Sequence, residues 1–543
     1  MQTTHITEAA SDHVWRTRYC WYEPGRVPES SIEASWDRVA LAVSKTEAHH
    51  RDDWRQHFRT ILNDFRFLPG GRILANAGTL NRGTLLNCFV AGTLEDSIQG
   101  IFNGLREAMV TLQAGGGVGV DFSTLRPARS LALASAGVAS GPVSFMGVWE
   151  AANAVLASHN LRRGAMMATL RCDHPDIEAF IDAKTTGGVL PHFKLSVAVT
   201  DDFMRAVADD NAWPLIFPLG HHPIPVGAEV CERLWSGDIA PQLCLVHRRV
   251  PARLLWDKLL AAQLAGGEPA VLFIDRINRD NNLWYGERLA TTSPGGAVPL
   301  PSNGGCSLGS INLTRFVHKP SGAHPKVNWT ALKAVAGIAT RFLDDVHDIS
   351  LCPLKAQEKA VHASRRIGLG ITGLADMLAM LGLRYGSEAS LDLARTIMGT
   401  IRDIAYRTSI EIAKEKGAFP EYDKLKYGAS PFVLELSHEL QDAIAEHGIR
   451  NSHLLAVAPA GAISLLANKV SPGIDATSTD ISAEDQLRTM AVVQSCVDGG
   501  VAKTVRLPES ILAQELELVL LQAWELGLKC CAVYRAGSQS VTL

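Results

Sequence analysis

No Cys-x-x-Cys pair occurs in the chain, although ten cysteines are present, at positions 20, 88, 172, 231, 244, 306, 352, 496, 530 and 531. Their spacing excludes a zinc ribbon and a secreted disulfide scaffold. A run of about 18 uncharged apolar residues is missing too, and MQTTHITEAASDHVW lacks a basic segment followed by an apolar one. The expectation is a cytoplasmic protein with no membrane partner. There is no excess of positive charge: Lys+Arg 52 against Asp+Glu 56 gives a net charge of -4. Without a global positive field a polyphosphate backbone is not held, so nucleic acid is not an expected partner. Tandem repeats and low-complexity tracts are also absent. What remains, 47% hydrophobic and 20% charged residues over 543 positions, is the balance of a folded protein.

The first 68 residues read as a helical section. Ser30 or Ser31 precedes Glu33 as in a capping box, Ile32, Trp36, Val39, Ala40 and Val43 share one helical face, and a second helix runs from about Arg51 to Phe67. After Pro69-Gly70-Gly71, short apolar runs alternate with longer helical patterns. The runs are Leu85–Val90, Val118–Phe122, Leu195–Val199, Ala270–Ile274 and Leu454–Ala458; the helical patterns cover about 100–113, 142–157, 254–265, 331–348, 371–381, 390–415 and 509–526. Such alternation predicts an α/β fold with largely parallel strands. His221 to Cys244 and Thr292 to Gly305 read as long loops.

Several motifs compete for a functional reading. Gly368-Leu-Gly370-Ile-Thr-Gly373 matches a dinucleotide fingerprint as a string, but no apolar strand precedes it and no acid follows at the required distance, so glycines easing a helix entrance are the better reading. In Gly115-Gly116-Gly117-Val118-Gly119, backbone amides can face an anion, or simply make a tight turn. Asp344, Asp345, His347 and Asp348 read as a solvated helix face rather than a metal site, and no metal ligand set is assigned. His174 reads as part of the cap of a helix at 176–183. Pro459-Ala460-Gly461-Ala462-Ile463-Ser464 follows an apolar run and opens a helix, an arrangement that can aim free N–H groups at a phosphate or be a plain strand-to-helix turn.

Taken in order, Phe67-Leu-Pro-Gly-Gly-Arg-Ile-Leu, Asn87-Cys88-Phe89-Val90, Asp121-Phe-Ser-Thr-Leu-Arg-Pro, Arg162-Arg-Gly-Ala-Met-Met-Ala, His174-Pro-Asp-Ile-Glu-Ala-Phe-Ile, Cys306-Ser-Leu-Gly-Ser-Ile-Asn-Leu, Arg365-Arg-Ile-Gly-Leu-Gly and Gly417-Ala-Phe-Pro resemble the adenosylcobalamin-dependent, class II ribonucleotide reductases. The resemblance runs from about residue 20 to residue 536. It implies a ten-stranded α/β barrel of two five-stranded halves over residues 69–543, a helical section over 1–68, and a finger loop at about 288–305 inserted through the barrel. It also implies adenosylcobalamin as cofactor, ribonucleoside di- or triphosphates as ligands, and a possible homodimer. Cys88 and Cys306 match the family's reducing pair. Asn87, Gly116, Gly117 and the residues Ala460, Gly461, Ala462, Ile463 and Ser464 match its substrate- and phosphate-binding positions.

The finger loop departs from the pattern. Where the family carries Asn-Pro-Cys-Gly-Glu, this chain carries Ser293-Pro294-Gly295-Gly296-Ala297. Gly295 stands at the radical cysteine, Ala297 at the carboxylate and Ser293 at the amide. Glycine has no side chain to carry a sulfur radical and alanine accepts no proton, so neither role survives in place. Two hydroxyls of the phosphate loop are replaced by Ala460 and Ala462, and the family's cysteine-bearing tail has no counterpart after Arg535. The expectation is a nucleotide-binding homologue inactive in the family reaction. A repurposed cobalamin- or nucleotide-dependent enzyme, and a still-active ribonucleoside-diphosphate reductase using a radical residue from elsewhere, are the alternatives. Cys530 and Cys531 read as packing in the last strand.

Overall fold

The computed structural model describes residues 5–538 except 24, 26, 133–136, 160–163, 186–189, 221–223, 319–323, 477 and 479. Arg162 and Arg163 of the family-like segment therefore lie outside the described residues. The N-terminal section holds α1 (Ala9–Arg18), α2 (Ile32–Val43) and α3 (Arg51–Leu62). On α2 the apolar stripe is buried as the periodicity requires: Trp36, Val39, Ala40 and Val43 are all shielded from solvent. Ser31 is the N-cap, with extended backbone, but its side chain makes no capping bond, so the capping box is not formed.

The strands close into a barrel of two parallel halves. The first half is β1 (Cys88–Val90), β2 (Gly117–Asp121), β3 (Met166–Arg171), β4 (Phe193–Val199) and β5 (Ala270–Phe273), each parallel to the next. The second half is β6 (Gly305–Asn312), β7 (Ile367–Thr372), a stretch at 455–457, β8 (Thr504–Leu507) and β9 (Cys530–Arg535). Here β6 runs parallel to β7 and β8 parallel to β9, while the single parallel bridges Leu369–Leu455 and Val457–Val501 carry the connection between them. The halves meet at two antiparallel seams, β1 with β6 and β5 with β9. Ten staves in two groups of five result, as the family resemblance implies.

Four sequence expectations change. The Leu454–Ala458 run makes isolated bridges rather than a continuous ladder. Gly368 and Gly370 lie inside β7, not at a helix entrance, and only Gly373 borders the helix Leu374–Met380. The physical reason is close strand packing: a Cβ on Gly370 would come within 2.5 Å of the Ala456 carbonyl oxygen. The 221–244 region forms strands, Val230–Leu234 and part of Pro241–Pro251, in a three-stranded sheet with Ala212–Pro218. Its inner face buries Ile216, Trp235 and Cys244 together. Finally, Thr292–Gly305 is not a free loop. Thr291–Thr292 pairs with Pro299–Leu300 as a hairpin, and the chain then enters β6.

Candidate functional site

The hairpin tip, residues 293–298, sits inside the barrel and divides its interior. Ser293 N–H donates to the Val298 carbonyl at 2.8 Å, which closes the tip, and Gly500 N–H donates to the Ala297 carbonyl at 2.8 Å, which ties it to the wall. Thr291 and Thr169 share a 2.6 Å hydroxyl hydrogen bond across to β3. Gly119 on β2 admits the hairpin, because a Cβ there would stand 1.9 Å from the Thr292 carbonyl oxygen. One apolar cluster, Val90, Ala297, Val298, Leu300, Cys306, Leu308, Ala456 and Ala502, packs on one side of the tip. Another, including Met167, Ala198, Leu272 and Cys530, lies on the other.

Cys88 and Cys306 are directly opposed in the antiparallel β1–β6 register. Directly opposed residues of such a pair have Cα atoms roughly 4.5–5.5 Å apart, inside the range a disulfide spans. Neither thiol is joined in a disulfide. Burial pushes the Cys88 thiol up to about 11, the Ser293 hydroxyl opposing weakly. Burial, and then the neighbouring Cys88, lifts the Cys306 thiol well above its ordinary value. The Ser293 hydroxyl is near enough to act on Cys88 electrostatically, yet Ser293 Oγ is buried without a hydrogen bond of acceptable geometry, and so is Asn87 Oδ1. Orphaned polar atoms beside two thiols mark a place where a polar ligand gains partners.

A small cavity of about 290 Å³ opens there, lined among others by Asn87, Cys88, Gly117, Pro294, Ala297 and the 458–463 segment. Ala460 adopts a left-handed conformation (φ +56°) as N-cap of the short helix Gly461–Leu466. Residues 461–463, the first turn of that helix, line the cavity, and a helix leaves its first-turn N–H groups without intrahelical acceptors. Ser464 is placed differently: its N–H donates to the Ala460 carbonyl at 2.9 Å and its hydroxyl bonds Thr372 Oγ1 at 2.7 Å, so neither is directed at a ligand. The glycine cluster also departs from the anion-nest reading. The N–H groups of Gly115, Gly116, Gly117 and Val118 donate to Leu112, Thr111, Asn87 and Ala165 carbonyls. Gly116 is there because a Cβ would strike the Phe89 ring at 2.5 Å, and Gly117 alone of the expected pair reaches the cavity.

On the far side of the tip is a second cavity of about 1410 Å³, lined by Met167, Leu272, Gly295, Gly296, Lys503 and Cys530 among others. Pro294 borders both cavities. The large one exceeds the roughly 300–1,000 Å³ of ordinary small-molecule sites.

The remaining sequence candidates resolve into structure. His174 is buried, its Nδ1 accepting from Asp176 N–H at 3.0 Å ahead of the helix Ile177–Asp182, which is the capping role expected of it. Asp344 and Asp345 are fully buried rather than solvated, and they pair with Arg365, Arg450 and Lys416. Cys530 and Cys531, both read from the sequence as packing in the last strand, differ: Cys530 faces the barrel interior at the loop tip, whereas Cys531 packs into the main core. The alternation of a strand was the available signal.

Two family models match the chain: the ribonucleotide reductase barrel domain over residues 86–479 and 476–534, and the ribonucleotide reductase all-alpha domain over residues 7–82. Among curated relatives, the vitamin B12-dependent ribonucleoside-diphosphate reductase of Mycobacterium tuberculosis (strain CDC 1551 / Oshkosh) is 35% identical over 97% of this chain and 79% of its own length. The enzyme of the same name from Thermoplasma acidophilum is 32% identical over 84% of this chain and 53% of its own. The ribonucleoside-diphosphate reductase large subunit of vaccinia virus is 27% identical over 76% and 55%. With both domain models matched in order, a ten-stave barrel around an inserted hairpin, and B12-dependent relatives aligned along nearly the whole chain, this protein belongs to the ribonucleotide reductase family, in its class II branch.

Proposed function

We propose that this barrel binds ribonucleoside di- or triphosphates in the small cavity, retains room for adenosylcobalamin in the large one, and does not reduce ribonucleotides through its finger loop. The observation that carries this reading is the loop itself. Ser293, Gly295 and Ala297 stand between the two cavities, beside Cys88 and Cys306, with no thiol and no carboxylate among them. Nucleotide binding is supported by the open first turn at 461–463, whose N–H donors do not depend on the side chains replaced at Ala460 and Ala462. If the two absent hydroxyls each made a hydrogen bond to phosphate, their loss weakens binding by about 0.5–1.5 kcal/mol apiece. The size of the large cavity and its apolar wall of Met167, Leu272 and Cys530 suit a corrin-type cofactor, which when bound supplies a homolytically cleavable carbon–cobalt bond.

The test is deoxynucleotide formation with adenosylcobalamin and dithiothreitol. The natural chain should give none, and Gly295→Cys alone should stay far below full turnover, because one missing acid–base group costs about 10²–10⁴-fold. The triple change Ser293→Asn, Gly295→Cys, Ala297→Glu rebuilds the loop next to Cys88 and Cys306 and should yield measurable product. Turnover by the unmodified chain would sink the reading, and calorimetry without nucleotide binding at millimolar concentration would remove its binding half.

A further inference from the structure

The thiol absent from position 295 has a neighbour on the opposite wall. Cys530 opens β9, and strand alternation sends Cys531 outward into the main core while Cys530 turns inward beside Met167, Ala198 and Leu272. Its Sγ lies 3.8 Å from the Gly296 carbonyl oxygen and 3.5 Å from that of Val501. The hairpin tip rests directly on this sulfur: a Cβ on Gly296 would stand 2.7 Å from it. Position 295 has the opposite character, since a Cβ there would meet no heavy atom within 4 Å. Both Gly295 and Cys530 border the large cavity. The tip thus separates two sets of sulfur, with Cys88 and Cys306 in one interior cluster and Cys530 in the other. The buried, unpartnered Ser293 Oγ sits on the Cys88 side.

We propose that Cys530 is the thiol this barrel presents to the large cavity in place of a loop-borne one, so that a corrin-class cofactor seated there lies against its sulfur; this rests on assigning the large cavity to adenosylcobalamin. The loop covers the sulfur at Gly296, so its remaining exposure is toward the cavity that Cys530 borders. Burial pushes the Cys530 thiol up to about 12, the neighbouring Lys529 opposing. At neutral pH the residue therefore holds a hydrogen on sulfur rather than a thiolate, aimed between two carbonyls at the cavity edge.

The experiment uses the full chain, iodoacetamide at about pH 10, where a thiol held near 12 is about 1% thiolate, and peptide mass spectrometry of Cys88, Cys530 and Cys531. In the free protein Cys530 should be alkylated through the cavity and Cys531 spared. Adenosylcobalamin at ten times its dissociation constant should slow Cys530 about tenfold by mass action and leave Cys88 unchanged. A ribonucleoside diphosphate should do the reverse. As a second measurement, the visible spectrum of adenosylcobalamin should shift on binding to the natural chain and equally on binding to Cys531→Ala, and shift differently on binding to Cys530→Ala, which no longer places a sulfur against the cofactor. Resistance of Cys530 in the free protein, absence of cofactor protection, absence of cofactor binding, or an unaltered spectral change in Cys530→Ala overturns the proposal. Loss of nucleotide protection at Cys88 with cofactor protection at Cys530 intact leaves it standing and overturns the nucleotide-binding reading instead.

Discussion

Cys88 and Cys306 illustrate how far a residue's chemistry depends on its surroundings. A free cysteine titrates near 8.5, so at pH 7 a few per cent is thiolate; with burial pushing the Cys88 thiol up to about 11, that fraction falls to roughly one part in 10⁴. Alkylation of Cys88 should accordingly be slow at neutral pH and rise about tenfold per pH unit until the pH nears 11. A rate that levels off near pH 8.5 would show the thiol to be solvated. Ala297 poses the complementary problem. It is buried among Val90, Leu300 and Leu308, so a glutamate restored there enters an apolar cluster whose desolvation raises the carboxyl pKa. The pH–rate profile of the triple variant should therefore turn on above the ordinary carboxylate range.

At the scale of the element, the hairpin 291–300 is held by backbone fit more than by side chains. Gly119 faces the Thr292 carbonyl so closely that any Cβ must displace backbone, which does not rotate away as a flexible side chain does. Gly119→Ala should destabilise the fold by about 1–3 kcal/mol and push the hairpin out of the barrel. Limited proteolysis is the direct measurement: cleavage within 293–298 should appear in the variant and be absent in the natural chain. An unchanged digest together with unchanged nucleotide affinity would mean that the hairpin is not wedged against β2.

At the scale of the whole molecule, the helical section and the barrel are joined by buried charge. Arg341, on the helix Trp329–Ile349, bonds Glu47 at 2.7 and 2.8 Å, and Lys416 Nζ lies 3.1 Å from the same carboxylate and 2.6 Å from Asp345. Glu47 and Arg341 are 2% and 5% exposed, so removing the guanidinium leaves the buried Glu47 carboxylate with Lys416 as its remaining cation. Arg341→Ala should cost about 1–3 kcal/mol, because the buried Glu47 loses two of its hydrogen bonds but keeps Lys416, read as a lower urea midpoint, whereas a loss within experimental error would show the pair to be solvated. Acid sensitivity is a second property of the whole. Burial holds His174 and His347 down to about 4, so in the folded chain they bind protons less tightly than in the unfolded one. Their contribution is complete above pH 6.5 and is lost as pH falls from about 6.5 through 4, at up to about 1.4 kcal/mol per pH unit for each. His174→Gln and His347→Gln should flatten the dependence of unfolding midpoint on pH across that window.

Composition, apolar periodicity and ordered motifs were enough to determine the helical N-terminal section, the α/β alternation, the family, and the replacements at Ser293, Gly295 and Ala297, because each is written in local residue types or their spacing. What only the tertiary structure decided depends on contacts between distant segments. The hydrogen bonds of Gly115 to Val118 are spent within the protein, Ser464 turns to Thr372, and Asp344 and Asp345 are buried against cations from elsewhere in the chain. The strand pairing of 212–251 rests on partners whose match is visible only once the strands are aligned. Cys530 shows the limit most plainly. Its sequence neighbours mark it as strand packing, and only the closure of β5 against β9 brings its sulfur to the finger loop, because a barrel joins residues more than two hundred positions apart at its last seam.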